Sequence, residues 1–153
     1  MKTYILIFSI IVFSTPIIAQ NKVSIFGYGG SAFANEKVGF DFGLGVNYDI
    51  SQVIALSLSG ESLTFRKLPA QEFTKFNLNA EITPKHKNST FLSSNIGTSL
   101  LTVNKSTYLG LDIGLKLNQK IKERLFGSIW INTNFNKVLN GIIQTNLCLK
   151  YKL

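Results

Sequence analysis

Apolar residues fall on every second position along most of this chain. Val38, Phe40, Phe42, Leu44, Val46 and Tyr48 make the clearest run. Ile54, Leu56 and Leu58 make another, followed by Phe76, Leu78, Ala80 and Ile82, and then by Leu92, Ile96 and Leu100. Leu109, Leu111, Ile113, Leu115 and Leu117 form a fifth, Ile129, Ile131 and Phe135 a sixth, and Ile143, Leu147, Leu149, Tyr151 and Leu153 close the chain. Period-two alternation predicts strands with one apolar face, and helical spacing is almost absent. "KVSIFGYGGS" at 22–31 reads as a first strand, although the sequence does not fix which of its faces is which.

Turn-forming clusters separate the runs: "ANEK" at 34–37, "DISQ" at 49–52, "RKLPAQ" at 66–71, "TPKHKNS" at 83–89, "NKS" at 104–106, "NQKIKE" at 118–123 and "NKVLN" at 136–140. Asn, Gly, Pro and Ser in such clusters favour tight turns for steric and hydrogen-bonding reasons. The prediction is all-β: eight antiparallel strands of about 10 to 13 residues in an up-and-down meander, closed into a barrel that leaves no exposed edge.

Side-chain volume decides which way the barrel faces. The positions between the apolar ones are mostly small and uncharged: Gly39, Gly43, Gly45 and Asn47; Ser57 and Ser59; Asn77 and Asn79; Ser93, Asn95 and Gly97; Gly110 and Gly114; Asn132 and Asn134. Long charged side chains, the usual coat of a water-soluble surface, are scarce there. Small polar groups suit the narrow lumen of eight strands, which side chains just fill. The apolar stripe therefore points outward, as in a transmembrane β-barrel. Eleven residues from Val38 to Tyr48, tilted by ~45°, rise about 25 Å, the height of the apolar band of such barrels. Both termini are expected on the periplasmic side. Aromatic girdles are then expected from Phe40, Phe65, Phe73, Tyr108 and Phe135 at the outer rim, and from Tyr48, Phe91, Phe126 and Tyr151 at the inner one.

The N-terminal "MKTYILIFSIIVFSTPIIA" has a basic Lys2, a short apolar core and a small residue at Ala19. This is the layout of a cleavable secretory signal peptide over residues 1–19. Residues 20–153 then form one barrel domain carrying a net charge of +7, the +8 of the full chain less Lys2. The single cysteine, Cys148, closes no intrachain disulfide.

On these residues the chain resembles the small outer-membrane barrels of Gram-negative bacteria, of the OmpX and OmpA-barrel type. The resemblance spans residues 20–153 and is one of pattern. Its most specific part is the ending "TNLCLKYKL", with apolar or aromatic Leu147, Leu149, Tyr151 and Leu153. It implies a C-terminal signal read by the barrel-insertion machinery, although Leu153 stands where the class usually has a terminal aromatic. The Lys-, Asn- and Ile-rich composition and the "AQN" cleavage context resemble proteins of the Bacteroidota.

Two stretches repeat: "VGFDFGLGVNY" from Val38 and "LGLDIGLKLNQ" from Leu109, 71 positions on. They fall on strands two and six, and strands four and eight correspond likewise. A doubled four-stranded unit explains this, and so does convergence, because a lipid-facing strand with a small-residue lumen demands little of its sequence.

Candidate chemistry is concentrated in the lumen. Asp41, Glu61, Lys75 and Asp112 are expected in its outer half, and Glu81, Lys116 and Lys150 in its inner half. Enclosed charges must pair, so these residues predict two tiers of ion pairs plugging the tube. Trp130 also sits on the polar phase, as lumen filler. His86, the sole histidine, lies in a charged turn with no strand to hold a base against a nucleophile, so no catalytic group is assigned. Cys148 reads as a small filler, and no metal site is expected for want of further ligands at suitable spacing. "FGYGGS" lacks the following helix that a dinucleotide cradle needs. No cofactor is expected. Ten other lysines and arginines fall in turns: Lys85, Lys87, Lys120, Lys122 and Arg124 at one end, and Lys37, Arg66, Lys67, Lys105 and Lys137 at the other. They suit anionic lipid headgroups at both interfaces, and with no basic stripe on a water-facing sheet, no nucleic acid is expected.

The resulting expectation is a non-enzymatic integral outer-membrane barrel with a structural or surface-interaction role. Its rivals are a secreted, lipocalin-like barrel binding an apolar small ligand and, further off, a lipid-modifying outer-membrane enzyme.

Overall fold

The structure, a computed structural model, describes residues 22–65, 73–85 and 88–153. The expected signal peptide, Arg66, Lys67, Lys87 and His86 lie outside the described residues. Eight strands follow one another: β1 (Val23–Ala34), β2 (Lys37–Asp49), β3 (Ile54–Phe65), β4 (Phe73–Ile82), β5 (Thr90–Val103), β6 (Ser106–Lys120), β7 (Leu125–Asn136) and β8 (Ile142–Lys152). Each pairs antiparallel with its sequence neighbours, and β1 also pairs with β8, closing the barrel.

The tight turns have local causes. Asn35 and Glu36 (φ 47° and 62°) join β1 to β2, and Asn104 and Lys105 (φ 48° and 66°) join β5 to β6. Two successive positive φ values define a two-residue hairpin turn whose twist matches that of the strands, and Asn tolerates that region best after Gly. These turns lie at the rim opposite the termini. At the terminal rim, the Ser51 hydroxyl accepts from the backbone N–H groups of Val53 and Ile54 to shape the β2–β3 turn.

Register fixes the tilt. Partners traced once round the barrel run from Val23 through Tyr48, Leu56, Ala80, Ile96, Ile113, Thr133 and Ile143 to Phe33, ten residues up the starting strand. A stagger of that size tilts eight strands by roughly 40°.

Every residue on that circuit belongs to the outward stripe. Leu44 is 72% exposed, Leu147 70%, Leu109 68% and Phe42 67%, whereas Lys75 and Asp112 are fully buried. Outward glycines also occur. One row across six strands reads Gly127, Leu149, Gly27, Leu44, Gly60, Phe76, and the Phe76 ring lies over Gly60.

The first strand resolves in an unexpected way. Ser24, Phe26, Tyr28, Ala32 and Ala34 face inward, so two of its aromatics lie in the lumen. They are accommodated by Gly43 and Gly45 of β2, where an added Cβ would collide with the Tyr28 and Phe26 rings. The small residues of β2 are thus the other half of a size match.

The aromatic girdles need correction. Phe40, Tyr48, Phe135 and Tyr151 are exposed on the outer face as expected. Phe65 and Phe73 instead turn inward and are almost fully buried, with Tyr108 packed beside them. Phe91 and Phe126 are also on the inward phase, with rings edge-to-face at 6.3 Å across the terminal mouth. The reason is parity: Phe65 shares the phase of Ser59 and Glu61, and Phe73 that of Lys75 and Asn77.

Candidate functional site

Among the described residues the lumen holds nearly all of the buried polar groups, and it is stratified. From the terminal rim it runs through a mouth, a polar tier, an aromatic layer, a second polar tier and an apolar lid.

The tier nearer the termini is built around Glu81 of β4. Its carboxylate accepts from Lys116 Nζ at 2.9 Å, from Ser93 Oγ at 3.2 Å and from Asn47 Nδ2 at 3.3 Å. Lys150 Nζ stands off at 3.8 Å. Ser128, Asn118 and Ser93 continue the network, the Ser128 hydroxyl donating to Asn118 at 2.8 Å and the Asn118 amide to Ser93 at 2.9 Å.

Above it lie Phe26, Tyr28, Trp130 and Cys148. Trp130 packs edge-to-face on Tyr28 with ring centroids 5.1 Å apart, and its indole N–H donates to Asn95 Oδ1 at 3.0 Å. Lys116 Nζ sits 4.9 Å from the Trp130 ring centre, close enough for cation–π attraction. Trp130 is therefore more than filler: it joins the aromatic layer to both β5 and the lower ion pair.

The second tier centres on Lys75. Its three N–H donors meet three acceptors: Asp112 at 2.9 Å, Glu61 at 3.0 Å and Gln144 Oε1 at 3.1 Å. A fully buried ammonium is tolerable only when its donors are satisfied in this way. Tyr28 donates to Glu61 at 2.5 Å, tying the aromatic layer to the tier. Asn132 donates to the other carboxylate, Asp112, at 2.9 Å. Asp41 makes no ion pair among the described residues; the side-chain amides of Asn146, at 3.0 Å, and Gln144 hold it instead. Gln144 is the residue that sequence reasoning missed. Its amide gives to both Asp41 and Glu61 while its carbonyl takes from Lys75. Nothing in its short polar context marks it, apart from its inward parity on β8.

The lid closes the end opposite the termini. Ala32, Ala34, Leu63, Phe65, Phe73, Leu101, Val103, Leu139 and Ile142 pack into one buried apolar cluster, with Phe65 and Phe73 edge-to-face at 5.7 Å.

All seven charged residues singled out in the sequence thus point into the tube: Asp41, Glu61, Lys75 and Asp112 in one tier, and Glu81, Lys116 and Lys150 in the other. Leu147, Leu149 and Tyr151 lie on the outer face of β8. Leu153 follows the strand, its backbone N–H donating to the carbonyl of Val23 at 2.9 Å. Among the described residues no group of His, Cys, Asp and Glu has the arrangement of a metal site.

No family model matches the chain, and no curated protein matches it. Solved structures do. The N-terminal β-barrel domain of Pseudomonas aeruginosa OprF is similar at 16% identity and a TM-score of 0.69, with 88% of this chain and 98% of that one covered. Neisserial surface protein A is similar at 12% identity and a TM-score of 0.67, covering 86% and 96%. The outer-membrane enzyme PagL is similar at 10% identity and a TM-score of 0.60, covering 85% and 99%. In strand number, closure and length this chain has the fold of the small outer-membrane β-barrels.

Proposed function

We propose that the protein is an integral outer-membrane barrel, exported by a cleaved leader over residues 1–19, whose side-chain-filled lumen makes it a structural or surface-interaction element rather than a catalyst. The carrying observation is the inverted polarity: a continuous belt of exposed Leu, Ile and Phe surrounds a core of buried Asn, Ser, Lys, Asp and Glu. Only a hydrocarbon surround makes such a surface favourable, which disfavours the secreted, ligand-binding alternative. The likeness to outer-membrane barrels supports the same location. The PagL likeness means that the fold alone does not exclude catalysis. The non-catalytic reading rests on the lumen, where Ser93 and Ser128 and the carboxylates of Asp41, Glu61, Glu81 and Asp112 are engaged with Asn, Gln, Lys and one another.

The two tiers and the lid act as a plug in this reading, fixing register and blocking a conducting path. Turn lysines and arginines at the two rims would contact anionic headgroups. The ending at Leu147, Leu149, Tyr151 and Leu153 would be read by the insertion machinery. The test is cell fractionation with gel mobility before and after heating, followed by recording in planar bilayers. The reading predicts an outer-membrane fraction, a faster-migrating unheated band and no steady conductance. A soluble periplasmic protein or stable single-channel currents would contradict it.

A further inference from the structure

The end that carries the termini is not sealed. A cavity of about 270 Å³ opens there, between the β2–β3 turn and the ends of β4, β5, β7 and β8, with Lys150 and Lys152 on its wall. Lys152 is already paired, its Nζ lying 2.8 Å from Asp49. Lys150 is not comparably satisfied. The Glu81 carboxylate beside it is occupied by Lys116, Ser93 and Asn47, and at 3.8 Å Lys150 is beyond hydrogen-bond reach of it. Its side chain is 16% exposed, and its ion-pair partner Glu81 stands at 3.8 Å, short of hydrogen-bond contact, which leaves its donors to the solvent of the mouth. An ammonium held this loosely at a narrow mouth is available to an incoming anion, which would gain a charge-assisted hydrogen bond there.

The rest of the cavity selects the kind of anion. Phe91 and Phe126 form an edge-to-face pair on one side, and Val53 and Ala55 supply an apolar surface on the other. The floor is closed by the Glu81 tier and the aromatic layer above it. Among the described residues Lys152 is paired with Asp49, and Glu81 is neutralised by Lys116 beneath the cavity wall, which leaves Lys150 as the excess positive charge. Among the described residues that line it there is no arginine to hold a dianion. The volume is below the ~300 Å³ at which pockets for drug-sized ligands begin.

The geometry points to a binding site for a small organic monocarboxylate, its carboxylate on Lys150 and its apolar body between Phe126, Phe91 and Val53. That the site opens to the periplasm rests on the orientation proposed above; binding itself does not.

Fluorine NMR of para-fluorobenzoate with the folded mature chain, residues 20–153, in detergent micelles tests this. Saturable broadening is expected for the wild type, and none for para-fluorobenzamide, which keeps the body and lacks the charge. Lys150→Met is expected to weaken binding about tenfold and Lys150→Arg to retain it. Ala55→Phe, which leaves every charge in place and fills the cavity, is expected to abolish it. Inorganic phosphate should not displace the probe. Absence of saturable binding overturns the proposal, as does equal binding of the benzamide, unchanged binding by Lys150→Met or Ala55→Phe, or displacement by phosphate. Heat-modifiable mobility, measured on the same samples, reports separately on the barrel, so a barrel that folds without binding fails this site alone.

Discussion

The two ends of the lumen solve one problem, an enclosed lysine, in opposite ways. Lys75 lies under an apolar lid, and each of its donors has an acceptor within 3.1 Å. Lys150 lies at an open mouth, 3.8 Å from a carboxylate that other groups already hold. Access to water accounts for the difference. Where the lid excludes solvent, an unsatisfied ammonium costs several kcal/mol, and all three donors of Lys75 are met. Where the mouth admits solvent, a loose pair is tolerable and the charge stays available. A buried lysine is thus structural or receptive according to what covers it.

The largest effect should come from breaking the sealed end. Lys75→Met leaves Glu61 and Asp112 facing each other with no cation between them, and is expected to cost about 3–5 kcal/mol. Urea titration in micelles, read from the heat-modifiable band, would show the folded fraction collapsing at much lower denaturant. Next in size is a charge on the outside: Leu44→Arg, midway along β2, should cost about 2–4 kcal/mol in a bilayer. Its cost should be far smaller in short-chain detergent, and the ratio of the two midpoints checks that the penalty comes from lipid. Trp130→Phe keeps the ring contact with Tyr28 but removes the donor to Asn95, and about 1–2 kcal/mol should be lost. Smallest is Lys150→Met, expected to change stability by less than about 1 kcal/mol, because its pair with Glu81 is long and partly solvated. A loss at Lys150 equal to that at Lys75 would erase the contrast between the two ends.

Strand number, order and orientation could be read from the text because parity survives any detail of packing. Leu44, Ile113 and Leu149 point outward for the same reason that Asn77, Asn95 and Asp112 point inward. Parity was also the signal for Phe65 and Phe73, but aromatics near strand ends suggested a girdle and drew them to the wrong face. The first strand was ambiguous in a different way. Ile25 and Phe33 stand on one phase, Phe26 and Tyr28 on the other, and glycines occupy both, so only pairing with β2 and β8 settles it. Gly43 and Gly45 read as evidence for a narrow lumen, whereas they make room for two particular rings. Partner choice inside the tube, such as Gln144 bridging Asp41, Glu61 and Lys75, depends on which strands face one another across the lumen. Alternation along a single strand carries no record of that.

The central claim is that hydrocarbon covers the outer stripe. Spin labels at single cysteines replacing Leu44, Ile113 or Leu149, in a Cys148→Ser background reconstituted into bilayers, test it most directly. The account predicts strong relaxation by dissolved oxygen and little by a water-soluble nickel chelate at all three, with the reverse at a label replacing Lys105 in the β5–β6 turn. Free access of the chelate to Leu44 and Ile113 would mean that water covers that face, and the account would be contradicted.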